Sequence, residues 1–122
     1  MTEMLSIQSM VEVARARNVI RKVAQEHHWD PLFRARMSAT VTTLAEMALF
    51  QRHNNVDSMV IYFDIIVMDD QEGVVFFCDV NTAGCDQIHY SLAHSQLNRS
   101  CDEVKIDKKE DIHHIMVRLW AR

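Results

Sequence analysis

The chain has 122 residues, of which 48% are hydrophobic and 25% charged, and a formal net charge of −4. That balance suits one globular domain spanning residues 1–122, able to bury about two-thirds of its unfolded surface, and excludes a low-complexity or disordered polymer. Residues 1–56 carry two surplus positive charges and residues 57–122 six surplus negative ones, which argues against a nucleic-acid binder, since such a domain is net basic or carries a dense basic stripe.

Leu5-Ser6-Ile7 alternates as a short strand. Ser9-Met10-Val11-Glu12 then reads as a capping box, in which the Ser and Glu side chains satisfy the orphan amides of a helix start. Val13, Ala16, Ile20, Val23 and Ala24 follow at helical spacing, so a first helix runs to about His28. Asp30 before Pro31 supplies a second cap with proline at the first helical position. From Met37 to Phe50 only Glu46 is charged, which predicts a central helix buried over most of its circumference.

The period then changes from helical to alternating. Met59, Ile61, Phe63, Ile65 and Val67 form one face of a long strand, and Asp69 to Gly73 is expected to turn it back into Val74–Cys78 as a hairpin with an apolar centre. After Gly84 the pattern predicts a third helix with Ile88, Leu92 and Leu97 inward, then a strand from Glu103 to Asp107. A last strand follows, with Ile115, Val117 and Leu119 alternating against Met116, Arg118 and Trp120. The order β-α-α-β-β-α-β-β predicts an α+β, two-layer sandwich: an antiparallel or mixed β-sheet with about three helices on one face.

Chemistry-bearing motifs are sparse. No apolar run approaches the roughly 18 residues of a membrane span, and Met1-Thr2-Glu3-Met4 lacks the basic start of a signal peptide; the expected location is cytoplasmic, with no membrane partner. Cys78, Cys85 and Cys101 are odd in number and widely spaced, which suits reduced, partly buried thiols. The pairs His27-His28 and His113-His114 project in different directions on a helix and to opposite sides of a strand, and His89 and His94 are five apart, so no metal site is expected. Asp64 falls on the strand face opposite Phe63 and Ile65, where partial exposure explains it. Arg15, Arg17, Arg21 and Lys22 on the first helix read as a solvated face or as a docking face for an acidic protein partner. The methionines, among them Met47, Met59, Met68 and Met116, fill core or form an adaptable contact surface. Gly73 and Gly84 are the only glycines, whereas loops that wrap a phosphate need glycine for positive φ and close backbone approach.

The segment Val13 to Phe50, with its Ala-Arg-rich first helix, acidic cap and Ala-Thr-Val-Thr-Thr-Leu-Ala-Glu-Met centre, resembles bacterial anti-sigma-factor serine kinases. These belong to the GHKL ATPase superfamily of gyrase, histidine kinases and mismatch-repair proteins. The hairpin ending in Phe77-Cys78-Asp79, and the helix followed by Asp102-Glu103-Val104-Lys105-Ile106 and a strand, carry the resemblance over nearly the whole chain.

The departures from the family pattern are specific. Where active members carry a glutamate that polarises the attacking group and, four residues on, a magnesium-chelating asparagine, this chain has Thr43 and Met47. A thioether is a poor ligand for Mg²⁺, and a Thr hydroxyl is no carboxylate base. Asp79 matches the adenine-binding aspartate, but Asn81 and Ala83 stand at the glycine positions, with Gly84 one place late, and the lid is missing. The resemblance therefore implies a domain that has lost ATP and magnesium, needs no cofactor and acts as a non-catalytic interaction module in bacterial regulatory signalling. Its partner would be an antagonist of the sulfate-transporter/anti-sigma-antagonist (STAS) type or a sigma factor, and homodimers are common among the kinases it resembles. The alternatives are a divergent serine/threonine kinase that still holds ATP through Asp79, and histidine phosphotransfer through His27 or His28.

Overall fold

The computed structural model describes residues 3–7, 10–49, 59–81 and 87–121. The elements run β1 (Glu3–Ile7), α1 (Met10–Glu26), α2 (Pro31–Leu49), β2 (Met59–Met68), β3 (Gln71–Asn81), α3 (Gln87–Ser100), β4 (Glu103–Lys109) and β5 (Ile112–Trp120). The five strands form one antiparallel sheet in the order β1-β2-β3-β5-β4. The three helices pack against its inner side, giving the α+β two-layer sandwich that the order of elements predicts.

Val13, Ala16, Ile20 and Ala24 are all buried, as their spacing along α1 requires. The predicted Ser9 cap lies outside the described residues. Helix α1 ends in a Schellman motif: Trp29 N donates to Ala24 O (3.1 Å) and His28 N to Gln25 O (3.2 Å), with His28 left-handed at φ 56° where glycine is usual. Asp30 then caps α2 by accepting Phe33 N at 2.9 Å. Met37, Val41, Leu44, Ala45 and Met47 are buried, as are Thr40 and Thr43, so α2 is the expected central helix, flanked by α1 and α3. Phe50 lies outside the described residues.

Strand parity sorts the sheet into two faces. Ile61, Phe63, Val74, Phe76, Cys78, Ile115, Val117 and Leu119 point into the core beneath the helices. Ile65 is half-buried and Val67, near the hairpin tip, is exposed. Nothing is described of the Met59 side chain.

Two expectations need correction. The β2–β3 turn comprises Asp69 and Asp70 alone, both at positive φ (52° and 65°), which is the type I′ arrangement whose twist matches a hairpin. Gly73 is therefore a strand residue, paired with Ile66 and Trp120. A Cβ there would meet Leu119 O at 2.5 Å and Trp120 Cε3 at 2.7 Å, so glycine serves close approach between β3 and β5. The second correction concerns α3, where Ile88 and Leu92 are 72% and 57% exposed instead of inward. Tyr90, Ala93 and Leu97, spaced i, i+3 and i+7, face the core with Leu97 as predicted, because those three positions share one side of a helix.

Arg36 fastens the helical layer to the end of the sheet. Its Nε donates to Ser100 O (3.1 Å), Nη1 to Trp120 O (3.3 Å) and Nη2 to Asp102 Oδ2 (3.0 Å). Asp102 in turn accepts Trp120 N at 2.7 Å. At the same end of the sheet, beside the Gly73–Trp120 pair, Glu72 ties down the segment that follows α1, accepting Trp29 Nε1 at 3.1 Å and lying 3.3 Å from His27 Nδ1.

Candidate interaction surfaces

The positions that would carry nucleotide chemistry are dispersed. Met47 is 1% exposed within the core. Thr43 lies in the α2–α3 seam, its hydroxyl donating to Ala39 O at 2.9 Å and lying 3.4 Å from Gln96 Oε1. Asp79 sits between buried Cys78 and buried Val80, so its side chain leaves the sheet on the opposite side, where its Oδ1 pairs with His114 Nδ1. The sheet thus separates Asp79 from both Thr43 and Met47. Asn81, half-buried, ends β3, while Ala83 and Gly84 lie outside the described residues.

The histidine pairs divide as their spacing predicts. His114 faces Asp79 on the open side, whereas His113 Nδ1 meets Tyr90 Oη at 2.6 Å on the helical side. Burial, the larger cause, and Lys108 lower the His113 pKa against an opposing pull from Asp111. His27 stacks on Trp29 with ring centroids 4.8 Å apart, and His28 is exposed. Among the described residues no group of His, Cys, Asp and Glu could hold a metal. Cys78 and Cys101 are buried free thiols, and Cys85 lies outside the described residues. Burial, reinforced by neighbouring Asp79, pushes the Cys78 thiol up to about 12. Burial also raises Cys101, against hydrogen bonds from Thr40 and Ser100.

The basic residues of α1 do not form a single patch. All four are exposed, but Arg17 and Arg21, spaced i and i+4, flank the buried stripe, whereas Arg15 and Lys22, spaced i and i+7, lie on the far side of the helix.

The open side of the sheet has an unusual centre. Met4 pairs with Tyr62, Tyr62 with Phe77, Phe77 with Met116 and Met116 with Lys105, which makes one continuous row across all five strands. Met4, Tyr62 and Phe77 are 64%, 43% and 41% exposed, and Met116 is half-buried. The solvated face of an antiparallel sheet is ordinarily polar, and grouped exposed apolar side chains mark interaction surfaces. A hollow of about 310 Å³ beside Phe77 is bordered by Asp79, Lys105, Asp107 and His114, and Arg118 Nη1 donates to Glu103 Oε2 at 3.0 Å in the neighbouring row. Sequence reading missed this row, although its signal was present: β2 and β3 are apolar at both alternating phases around Tyr62 and Phe77.

A second concavity, of about 480 Å³, lies over α2 between α1 and α3. Its lining includes Arg17, Ser38, Ala39, Thr42, Glu46 and Arg99. No helix among the described residues is long and apolar enough to cross a membrane.

No protein-family model matches this chain, and no curated protein matches it by sequence. Among solved structures, a chain in the crystal structure of the SiaB-SiaC complex from Pseudomonas aeruginosa is similar, with a TM-score of 0.61 at 10% identity, over 98% of this chain and 89% of that one. At that identity the likeness is one of fold, and it extends over almost every element described above.

Proposed function

We propose that this chain is a degenerate GHKL-type domain that has lost nucleotide chemistry and serves as a non-catalytic protein-interaction module in bacterial regulatory signalling. The observation that carries the reading is the separation of Asp79 from Thr43 and Met47 by the sheet. An adenine held at Asp79 would lie on the far side of the β-layer from the two α2 positions, and a single triphosphate cannot serve both. Met47 fills the core where the family's magnesium ligand would stand, and its thioether offers a hard cation nothing.

An interaction role is supported by the exposed apolar row on the open sheet and by the fold likeness to a chain crystallised in a two-protein complex. By the resemblance, the partner is an antagonist of the STAS type or a sigma factor. Thermal denaturation with and without millimolar Mg-ATP tests the loss of nucleotide binding. A ligand at 100 times its dissociation constant adds about 2.7 kcal/mol, so an unchanged melting temperature is expected, and a clear rise would return the chain to the kinases.

A further inference from the structure

We propose that the valley over α2 docks an amphipathic, acidic helix of a partner protein, with its carboxylates between Arg17 and Arg99; this rests on the interaction-module reading and names its partner class. The valley exists because the outward stripe of α2 is built from short side chains. Ser38, Ala39 and Thr42 form its floor, while α1 and α3 rise on either side with Arg17 and Arg99. Short side chains on a central helix leave room for another helix to approach closely.

Charge selects the occupant. The whole chain is acidic, at −4, yet this concavity has two guanidinium groups in its lining against the single carboxylate of Glu46. Among the described residues neither Arg17 nor Arg99 has a hydrogen-bonding or ionic partner. Arg99 also borders a hollow containing Asp30 and Asp102. Those carboxylates are engaged elsewhere, Asp30 with Phe33 N and Asp102 with Arg36 and Trp120 N. Arg21, one turn from Arg17 on α1, is exposed and stands outside this lining.

The valley is also polar along its length. Arg36 contacts Ser100 and Thr43 contacts Gln96, so α3 runs antiparallel to α2, and the Arg99 end of α3 lies beside the Ser38 end of the floor. Toward the Glu46 end, the outward stripe of α3 that finishes in Arg99 presents Ile88 and Leu92, spaced i and i+4 and both exposed. A helix lying along the valley and over this stripe of α3 therefore meets Arg99 toward one end and, beyond the polar lining of the concavity, Ile88 and Leu92 toward the other. A second copy of this chain is disfavoured as occupant, because acidic turns such as Asp69-Asp70 seated in the valley would make a head-to-tail contact, which builds rings or filaments and not the two-fold dimer commonest among oligomers.

The test is a titration of the whole chain, at low ionic strength, with a synthetic amphipathic helix of roughly 20 residues, above the length at which isolated helices are marginal in water. The helix bears leucines at one end of its face and glutamates at the other, and a control peptide has glutamine for each glutamate. Backbone amide shifts should map to Arg17, residues 38–46 and α3 from Ile88 to Arg99, and the glutamine peptide should bind at least about ten-fold more weakly. The double variant Arg17→Glu/Arg99→Glu should lose binding to a similar degree. Arg15→Glu/Lys22→Glu, with the same change in charge on the far side of α1, should stay within about two-fold.

Equal losses in both double variants, shifts confined to the open sheet, or no difference between the peptides would each overturn the proposal. Concentration-dependent self-association abolished by Arg17→Glu/Arg99→Glu would also overturn it, making a second copy the occupant. Any of these outcomes leaves the interaction-module reading intact as long as Mg-ATP fails to stabilise the chain.

Discussion

His28 sits at φ 56° in the position after the last turn of α1, where a side chain collides with its own backbone and glycine does not. The Schellman bonds of Trp29 and His28 hold it there, and its imidazole is exposed. His28→Gly removes the strain without removing a buried contact, so a stabilisation of about 0.5–1 kcal/mol is expected after the added flexibility of the unfolded chain is subtracted. Urea titration measures it, and a loss of stability would mean that the imidazole holds the motif by a contact of its own. Cys78 gives a second residue-scale expectation, one that depends on pH. Its thiol is ordinary, near 9.0, in the unfolded chain and rises to about 12 in the fold, first through burial and then through Asp79. A raised folded-state pKa favours the protonated form, so this contribution is complete below pH 9 and disappears between pH 9 and 12. Denaturation midpoints of the parent chain should therefore fall more steeply over that interval than those of Cys78→Ala, although the variant starts lower because of its cavity. Parallel pH curves would show that Cys78 does not carry the effect.

Adjacent phenylalanines in β3 show how an element divides its work between two faces. Phe76 is fully buried and packs against Phe63 with ring centroids 5.8 Å apart, whereas Phe77 stands on the open side. Phe76→Ala should cost about 3–5 kcal/mol and Phe77→Ala about 1 kcal/mol or less, read from chemical denaturation of both variants. Comparable losses would mean that the open face is covered in solution. The number, order and type of elements were legible in the sequence because each long segment keeps one period, 3.6 in α1 and 2 in β2 and β5. The face of α3 was not, since Ile88 and Leu92 compose a second apolar stripe that competes with Tyr90, Ala93 and Leu97, and only packing decides between them. The bounds of the hairpin turn were not legible, because Asp69 and Asp70 adopt positive φ without glycine, while Gly73 serves contact with Trp120. The open apolar row was not legible, because an apolar pair such as Phe76-Phe77 reads as doubly buried until the position of the helical layer is known.

At the scale of the whole molecule, the proposed function can be tested by asking whether side chains alone could confer nucleotide chemistry on this fold. Resemblance to the kinases marked Thr43, Met47 and Asp79 as candidates, but which face of the sheet Asp79 leaves by depends on strand parity against the helical layer, and sequence resemblance does not determine that. In the fold, Cys78 and Val80 take the core positions and Asp79 is turned outward to His114. Introducing the carboxylate and carboxamide of those kinases with Thr43→Glu/Met47→Asn would therefore bring no magnesium site together with an adenine site. The Met47 position is 1% exposed, so the asparagine amide would lose its water with no designed partner and leave part of the thioether volume empty, costing about 2 kcal/mol or more. Calorimetry should accordingly find the double variant lower in melting temperature and no more responsive to Mg-ATP than the parent chain. If Mg-ATP raised the variant's melting temperature, the two α2 positions and the nucleotide would have to meet on one side of the sheet, and the separation by strand parity on which the proposed function rests would not hold.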